Sequence, residues 1–185
     1  MNVHRFARRT CAVLFALALP ACLAAPARAD GIPLGTELPT LRGDLLSGKK
    51  IVLPDAAHGR TAVLLLGFTY ASRHDVEAWA GRFRRDFAAD SGVVCYEIPV
   101  IGGAGRMARP FIDRGMRRGT PRELHDRVLT VYSGGKEWKQ HVGFSAPDIA
   151  YVLLVDRAGK VAWSGRGPFG DAEYRALAER AREMR

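Results

Sequence analysis

Cysteine has the most reactive side chain in this sequence, and it occurs three times, as Cys11, Cys22 and Cys95. We predict that residues 1–29 are a targeting segment, which leaves Cys95 as the one thiol of the mature chain. One cysteine cannot form an internal disulfide, even in an oxidising compartment. Its neighbours Val94 and Ile98 place Cys95 inside a strand, where a thiol serves as a small buried hydrophobe. The alternative is a reactive or dimer-forming thiol.

Histidines are the next candidates for chemistry, and four of them fall outside the targeting segment: His58, His74, His125 and His141. None pairs with another at the i, i+4 spacing that would put two metal ligands on one helix face. His74 and Asp75 could act as an acid–base pair, but a surface dyad at a helix start is the simpler interpretation. We therefore predict no metal site and no cofactor. A copper or heme chaperone is the weakest of the hypotheses kept.

Arginine is concentrated between positions 106 and 127, where seven arginines face three acidic residues, a net charge of +4. Such a patch could dock an acidic protein surface or anionic lipid head groups, and a solvated face is the alternative. Nucleic acid is not expected, because Phe111 is the only aromatic residue there for bases to stack on. The predicted partner-binding residues are Arg106, Arg109, Arg114, Arg117, Arg118 and Arg122; the seventh arginine is Arg127.

Residues 1–29 have the order of a secretory signal peptide: a basic start, an apolar run from Cys11 to Leu19, and small residues before Asp30. The apolar run is too short to span a bilayer comfortably. We predict export to a bacterial periplasm, with membrane tethering if the segment stays uncleaved. A lipoprotein signal at Cys22 and a mitochondrial transit peptide are the alternatives. Removing its four arginines lowers the net charge from +9 to +5 and leaves residues 30–185 as one domain.

The elements that would position these side chains follow the order β-α-β, an insert of short helical pieces, then β-β-α. Near-continuous apolar runs predict strands covered on both faces, and apolar spacing from Val76 to Phe87 predicts a helix capped by Ser72 and Asp75. A strand, a helix and a strand in one buried sheet form a right-handed βαβ unit. The predicted strands are Lys50–Leu53, Thr61–Phe68, Gly92–Val100, Arg127–Tyr132, Tyr151–Val155 and Lys160–Ser164, and the last helix begins near Asp171.

This order resembles the thioredoxin fold, so we predict an α/β, thioredoxin-like fold with a central mixed sheet flanked by helices. Enzymes of that fold carry a reactive cysteine just after the first central strand, where the next helix lowers the thiol pKa. The matching stretch, residues 68–75, has no cysteine, so thiol–disulfide exchange lacks both of its sulfurs. The cis-proline that would face them falls near Ala150, with Pro147 as a loop proline. The vestigial redox positions are Tyr70, Ala71, Ser72, Arg73, His74 and Ala150.

Three short motifs add a family resemblance: Tyr96–Val100, Gly115–Gly119 and Tyr151–Asp156, with Gly159, Trp163 and Gly167 after them. In their order and spacing, the chain from about residue 34 to 180 resembles the assembly-factor family of the mitochondrial ATP synthase, in its bacterial, thioredoxin-like branch. A periplasmic thioredoxin-like family without cysteines is a second possible relative. The resemblance implies a protein without redox activity that acts as a chaperone for a membrane subunit during assembly.

The predicted function is therefore a non-catalytic, chaperone-like binding or assembly protein of the bacterial cell envelope. Its expected partner is a protein, either a membrane-protein subunit or an acidic surface, with peripheral contact to an anionic membrane as an additional possibility. The alternative is an enzyme, a thiol oxidoreductase or peroxidase that acts through Cys95.

Overall fold

A computed structural model describes residues 32–184, so the predicted targeting segment at 1–29 lies outside the described residues. This part of the chain contains seven strands and four α-helices. The strands are β1 (Leu41–Leu45), β2 (Lys50–Leu53), β3 (Thr61–Gly67), β4 (Val93–Pro99), β5 (Leu129–Thr130), β6 (Tyr151–Val155) and β7 (Val161–Arg166). The helices are α1 (Arg73–Asp86), α2 (Arg109–Gly119), α3 (Gly135–His141) and α4 (Asp171–Glu183).

Four strands form the centre of the structure in the order β4-β3-β6-β7. β3 pairs in parallel with β4 and antiparallel with β6, and every residue of β3 is buried. A strand covered on both faces needs apolar side chains at every position, which explains the uninterrupted run Val63–Leu66. α1 connects β3 to β4, so the parallel pair is the βαβ unit that the sequence predicts.

A second, antiparallel sheet in the order β2-β1-β5 joins the first one through β5. Parallel bridges pair Glu97 with Val128 and Val100 with Val131, and the Glu97 amide donates to the Arg127 carbonyl over 2.9 Å. These bonds place β5 beside β4. The strand order from edge to edge is therefore β2-β1-β5-β4-β3-β6-β7.

The sheet has an apolar core on each face. On one face, α1 and α4 bury Trp79, Phe83, Tyr174 and Leu177 against alternate residues of β3 and β6. On the other face, the intervening residues of β3 pack with β1, β2 and Trp138 of α3. α2 belongs to neither core, because the one residue it buries is Asp113. No helix within residues 32–184 combines the length and the apolar content needed to cross a bilayer.

All six predicted strands and the two long predicted helices are confirmed, and the differences lie in the polar stretches. β1 lies in the lead before residue 50, where no strand was predicted, and α3 was not predicted either. The insert after residue 105 contains one helix of 11 residues, α2, rather than short pieces alone. The predicted capping pair is wrong: Ser72 is the N-cap of α1 but makes no side-chain bond to the helix, since its hydroxyl faces Thr69.

Candidate functional site

The loop between β3 and α1, residues 68–72, occupies the position where the fold would carry redox cysteines, and its polar groups bond to one another. The buried Ser72 hydroxyl donates to the Thr69 carbonyl over 2.8 Å and accepts from the Thr69 amide over 3.3 Å. The Ser72 amide in turn donates to Thr69 Oγ1 over 3.2 Å. This reciprocal set closes the β3–α1 loop as a compact turn.

The closed loop is also attached to the segment that precedes β6. Thr69 Oγ1 donates to Asp148 Oδ1 over 2.7 Å. Gly67 leaves room for the Ser72 hydroxyl, since a Cβ at residue 67 would lie 2.6 Å from that oxygen. Ala150 is fully buried immediately before β6, so it lies where the sequence places the lost proline. The one cis peptide bond within residues 32–184 is Leu53–Pro54.

Aromatic side chains form the base of the loop. The ring of Phe68 lies edge-on to those of Phe144 and Tyr151, with centroids 5.3 and 5.5 Å away. Lys139 places its ammonium 4.2 Å from the centroid of Phe144. The Tyr151 hydroxyl oxygen accepts from the amides of residues 145 and 146. Packing and hydrogen bonding therefore occupy the groups beneath the loop.

Residues 69–71 of the loop face solvent. Tyr70 is 78% exposed, and the Arg73 guanidinium stacks on its ring at 3.9 Å. Ala71 and His74 are exposed as well. The structure thus gathers the vestigial positions of the β3–α1 loop and Ala150 at one end of the sheet. What they present outward is the Tyr70 ring with Arg73 on it and the His74 imidazole, with no sulfur.

Cys95 is buried in β4, which confirms the prediction of a small buried hydrophobe. It lies opposite Val63 of β3. Val63 is four residues before Gly67, the last residue of β3, so Cys95 is about 13 Å from the β3–α1 loop along the strand direction. Burial, and to a lesser degree the negative charge of Glu97, raises the pKa of the thiol to about 12. On the order of 1 in 10⁵ of the molecules would carry the thiolate at neutral pH. Cys95 therefore has neither the place nor the ionisation of a redox cysteine.

The histidines are spread over the structure. His125 Nε2 lies 3.0 Å from the Thr120 carbonyl oxygen, and His58 lies 4.0 Å from Asp55. Within residues 32–184, no three histidine, cysteine, aspartate or glutamate side chains converge as a metal site would require. The absence of a metal and of a cofactor stays a prediction.

The predicted basic patch spans residues 106–127, and its six predicted partner-binding arginines separate into two groups. Arg109 pairs with Asp44 and contacts Asp113, and Arg117 Nε donates to the Leu46 carbonyl over 2.8 Å. These two hold α2 to the β1 side of the sheet. The remaining four are exposed and make no hydrogen bond or ion pair with any described residue: Arg106, Arg114, Arg118 and Arg122.

Asp113 is the buried attachment point of α2. Its carboxylate accepts from the Tyr132 hydroxyl over 2.7 Å, and burial together with this bond raises the pKa of Tyr132. A cavity of about 350 Å³ lies beside this contact, lined by charged groups of β1, β2 and α2 that include Arg42, Lys50 and Arg109. The roles of Asp113 and Tyr132 were not predicted from the sequence. The available signal was a single aspartate among the arginines of residues 106–122.

Two apolar side chains next to the arginines were also overlooked. Met107 is 91% exposed and Phe111 is 79% exposed, the two highest values among the exposed large apolar side chains of residues 32–184. From the sequence, Phe111 was considered only as a stacking partner for bases. Phe111 lies on the outer side of α2, and Met107 is exposed two residues before the helix begins.

Comparison with known proteins gives structural relatives but no sequence relatives. No protein-family profile matches the chain, and no curated protein matches it. A crystal structure from Chlorobium tepidum, assigned as the thiol:disulfide interchange protein DsbE, matches 83% of this chain and 98% of its own length, with 17% identity and a TM-score of 0.56. BsSco, a member of the Sco family of cytochrome c oxidase assembly proteins, matches 84% and 96%, with 15% identity and a TM-score of 0.55.

A thiol peroxidase from Chromobacterium violaceum is similar over 84% of this chain and 89% of its own, with 14% identity and a TM-score of 0.51. At such identities the likeness concerns the path of the backbone and not the chemistry of the site. The resemblance to ATP-synthase assembly factors stays a prediction. The α/β fold with a mixed sheet flanked by helices is confirmed, and this chain has the thioredoxin-like fold.

Proposed function

We propose that this chain is a non-catalytic binding or assembly protein of the bacterial cell envelope, built on a thioredoxin-like scaffold. The β3–α1 loop carries the proposal. It has no sulfur at the redox positions, and Thr69 and Ser72 use their polar groups to bond to each other. A loop with its donors and acceptors already paired is suited to a fixed shape rather than to bond making.

The two hydroxyls of the loop differ in their surroundings: the Ser72 hydroxyl is buried, whereas the Thr69 hydroxyl is exposed and donates to the Asp148 carboxylate over 2.7 Å. Ser72 is fully buried, and its proton is donated to a backbone carbonyl rather than to a base. An activated serine or threonine needs a general base within hydrogen-bonding distance. His74 is exposed and has no hydrogen bond to either hydroxyl in the described part of the chain.

Two similarities favour assembly as the kind of binding. BsSco, which has the same fold, belongs to a family of cytochrome c oxidase assembly proteins, whereas the DsbE and thiol peroxidase structures of the same fold fit the alternative enzyme. The motifs from Tyr96 to Gly167 resemble those of ATP-synthase assembly factors. The proposed partner is accordingly a protein, such as a subunit of a membrane complex. The signal-like residues 1–29 favour the cell envelope as the place of contact.

Activity measurements separate this proposal from the alternative enzyme. The purified full-length chain is incubated with insulin and dithiothreitol, and separately with hydrogen peroxide and a thiol reductant. We expect rates equal to those of the buffer, with no difference between the wild type and Cys95→Ser. Turnover of either substrate that disappears in Cys95→Ser would establish the alternative.

Site-specific crosslinking tests the binding role. A photoreactive phenylalanine analogue replaces Tyr70, the exposed tip of the β3–α1 loop, and in a matched variant it replaces Ala176, which is exposed on α4. In intact envelopes we expect one dominant adduct from position 70 and none of the same mass from position 176. Equal adduct patterns from the two positions would contradict a binding site at the loop.

A further inference from the structure

The outward face of α2 combines one aromatic side chain with two arginines. At 3.6 residues per turn, Arg114 and Arg118 follow Phe111 by three and seven residues and share its face. Asp113 points the opposite way, and its burial confirms that orientation. Met107 lies just before the helix and is exposed beside this face. Apolar tips flanked by guanidinium groups are therefore presented to solvent.

Polar attachments fix α2 in this orientation. Asp113 accepts a hydrogen bond from Tyr132, Arg109 pairs with Asp44, and Arg117 donates to the Leu46 carbonyl. All three attachments lie on the inner side of the helix. Rotating Phe111 inward would break them and leave Asp113 without its partners, so the apolar side chain stays outside.

Positive charge exceeds negative charge in this region. The four exposed arginines, Arg106, Arg114, Arg118 and Arg122, form no ion pair with any described residue. Within residues 106–127 the exposed acidic residues are Glu123 and Asp126, and Asp126 pairs with Lys49. A positively charged, exposed face of this kind attracts anionic surfaces over about the Debye length.

We propose that the outward face of α2 docks on the surface of a bilayer that contains anionic phospholipid. Phe111 and Met107 enter the boundary between head groups and acyl chains, while Arg114 and Arg118 bind phosphates. This inference goes beyond the proposed function and does not depend on it, since a redox-active or an inactive chain could dock in this way.

A lipid surface fits this face better than an acidic protein does. A protein partner would have to offer a pocket for Phe111 at a fixed distance from its carboxylates. A bilayer accepts an apolar side chain in any register and places phosphates on all sides of it. The arginine stems can also lie along the lipid while their guanidinium groups stay in the head-group layer.

Quenching of tryptophan fluorescence by brominated lipid tests directly whether this face of α2 inserts into the bilayer. Phe111→Trp is compared with Ala176→Trp, which adds one exposed tryptophan on α4; two of the three native tryptophans, Trp79 and Trp138, are buried. The full chain is mixed with vesicles of brominated phosphatidylcholine that contain either 30% or no phosphatidylglycerol. Any anchor in residues 1–29 would tether both variants equally. We expect quenching of the tryptophan introduced at position 111 only, and only with phosphatidylglycerol.

Charge variants test the arginines against a matched control. In the Phe111→Trp chain, the double change Arg114→Gln and Arg118→Gln should lower the affinity for the vesicles, measured by quenching, about 30-fold. Arg85→Gln with Arg157→Gln removes the same charge from two exposed arginines outside residues 106–122, and should weaken it by less than about threefold. Equal quenching of the tryptophans introduced at positions 111 and 176, no quenching at position 111, or equal losses in the two arginine pairs would each overturn docking through α2.

Discussion

The β3–α1 loop and α2 satisfy their polar groups in opposite ways. In the loop, Thr69 and Ser72 bond to each other and to Asp148, over an aromatic base formed by Phe68 and Tyr151. α2 buries a single aspartate and leaves four nearby arginines exposed. The loop stands where thioredoxin-like enzymes keep their chemistry, whereas α2 belongs to the insert after β4.

This contrast between paired and unpaired polar groups shows which groups remain available to bind a ligand. Polar side chains that are already paired must break those pairs before they bind anything else, which costs free energy. The unpaired arginines and the exposed Phe111 have no such cost. The loop therefore has a fixed shape with paired polar groups, and α2 has exposed arginines without a partner among the described residues. The proposed roles follow this division, with protein contact at the loop and lipid contact at α2.

The largest predicted effect is a difference in thiol reactivity between the two places a cysteine could occupy. In a chain with Cys11→Ser and Cys22→Ser, Cys95 should react with a disulfide reagent only when the protein opens, because burial protects it and raises its pKa to about 12. Ala71→Cys adds an exposed thiol in the β3–α1 loop, two residues before α1 begins. We expect it to react at least about 10³ times faster, as followed by absorbance at neutral pH.

The Ala71→Cys chain keeps Cys95, so each sample contains its own control. Denaturant should release the second thiol and bring the count to two. Rapid labelling of Cys95 in the native chain would contradict the contrast between an inert interior and an accessible loop, and would favour the alternative enzyme.

The second effect concerns the attachment of α2. Asp113→Ala removes a buried acceptor, leaves the Tyr132 hydroxyl without its partner and frees one side of Arg109. We expect the free energy of unfolding in urea to fall by about 2 kcal/mol. Glu123→Ala makes the same change of charge at an exposed position and should cost less than about 0.5 kcal/mol. Similar losses from both would show that Asp113 does not hold the helix.

Closure of the β3–α1 loop should have a smaller effect on stability. Ser72→Ala deletes a fully buried hydroxyl and leaves the Thr69 amide and carbonyl without it, so the free energy of unfolding should fall by about 1 kcal/mol. Ser91→Ala, at an exposed serine, is the control. Binding of the Phe111→Trp chain to vesicles should not change with Ser72→Ala. A parallel loss of vesicle binding would show that the two regions are coupled.

Residue pattern predicts the centre of this structure well because burial dictates it. The short apolar run Val63–Leu66, bounded by polar turns, predicts a strand covered on both faces, and the spacing from Val76 to Phe83 predicts a helix with one buried face. The absence of sulfur from residues 68–75 is likewise visible in the sequence. The same reasoning failed for β1, whose half-exposed Gly43 and Asp44 interrupt the apolar alternation.

The candidate sites are harder to predict from the sequence, because they depend on contacts between residues far apart in the chain. Nothing in the sequence reveals that Asp44 pairs with Arg109 across 65 residues, or that Tyr132 donates to Asp113. Without these contacts, the sequence does not distinguish the arginines that attach α2 from those that stay exposed. It also does not show whether Phe111 faces the core or the solvent. The capping error at Ser72 has the same origin, since Asx- and Ser-type turns compete locally with helix caps and only the packed loop decides between them.

The smallest predicted effect is on the pH dependence of stability, and it concerns Asp86, the last residue of α1. Tyr174 of α4 donates to Asp86 over 2.7 Å, and this bond, supported by Arg82, lowers the pKa of the Asp86 carboxyl. A carboxyl with a lowered pKa stabilises the fold above its unfolded pKa of about 3.9, and that contribution disappears as the pH falls through the folded pKa. Tyr174→Phe should therefore flatten the loss of stability below about pH 4 without altering the response of α2 to vesicles. Thermal unfolding between pH 7 and pH 3 measures the slope, and an unchanged slope in Tyr174→Phe would show that the hydrogen bond does not control the ionisation of Asp86.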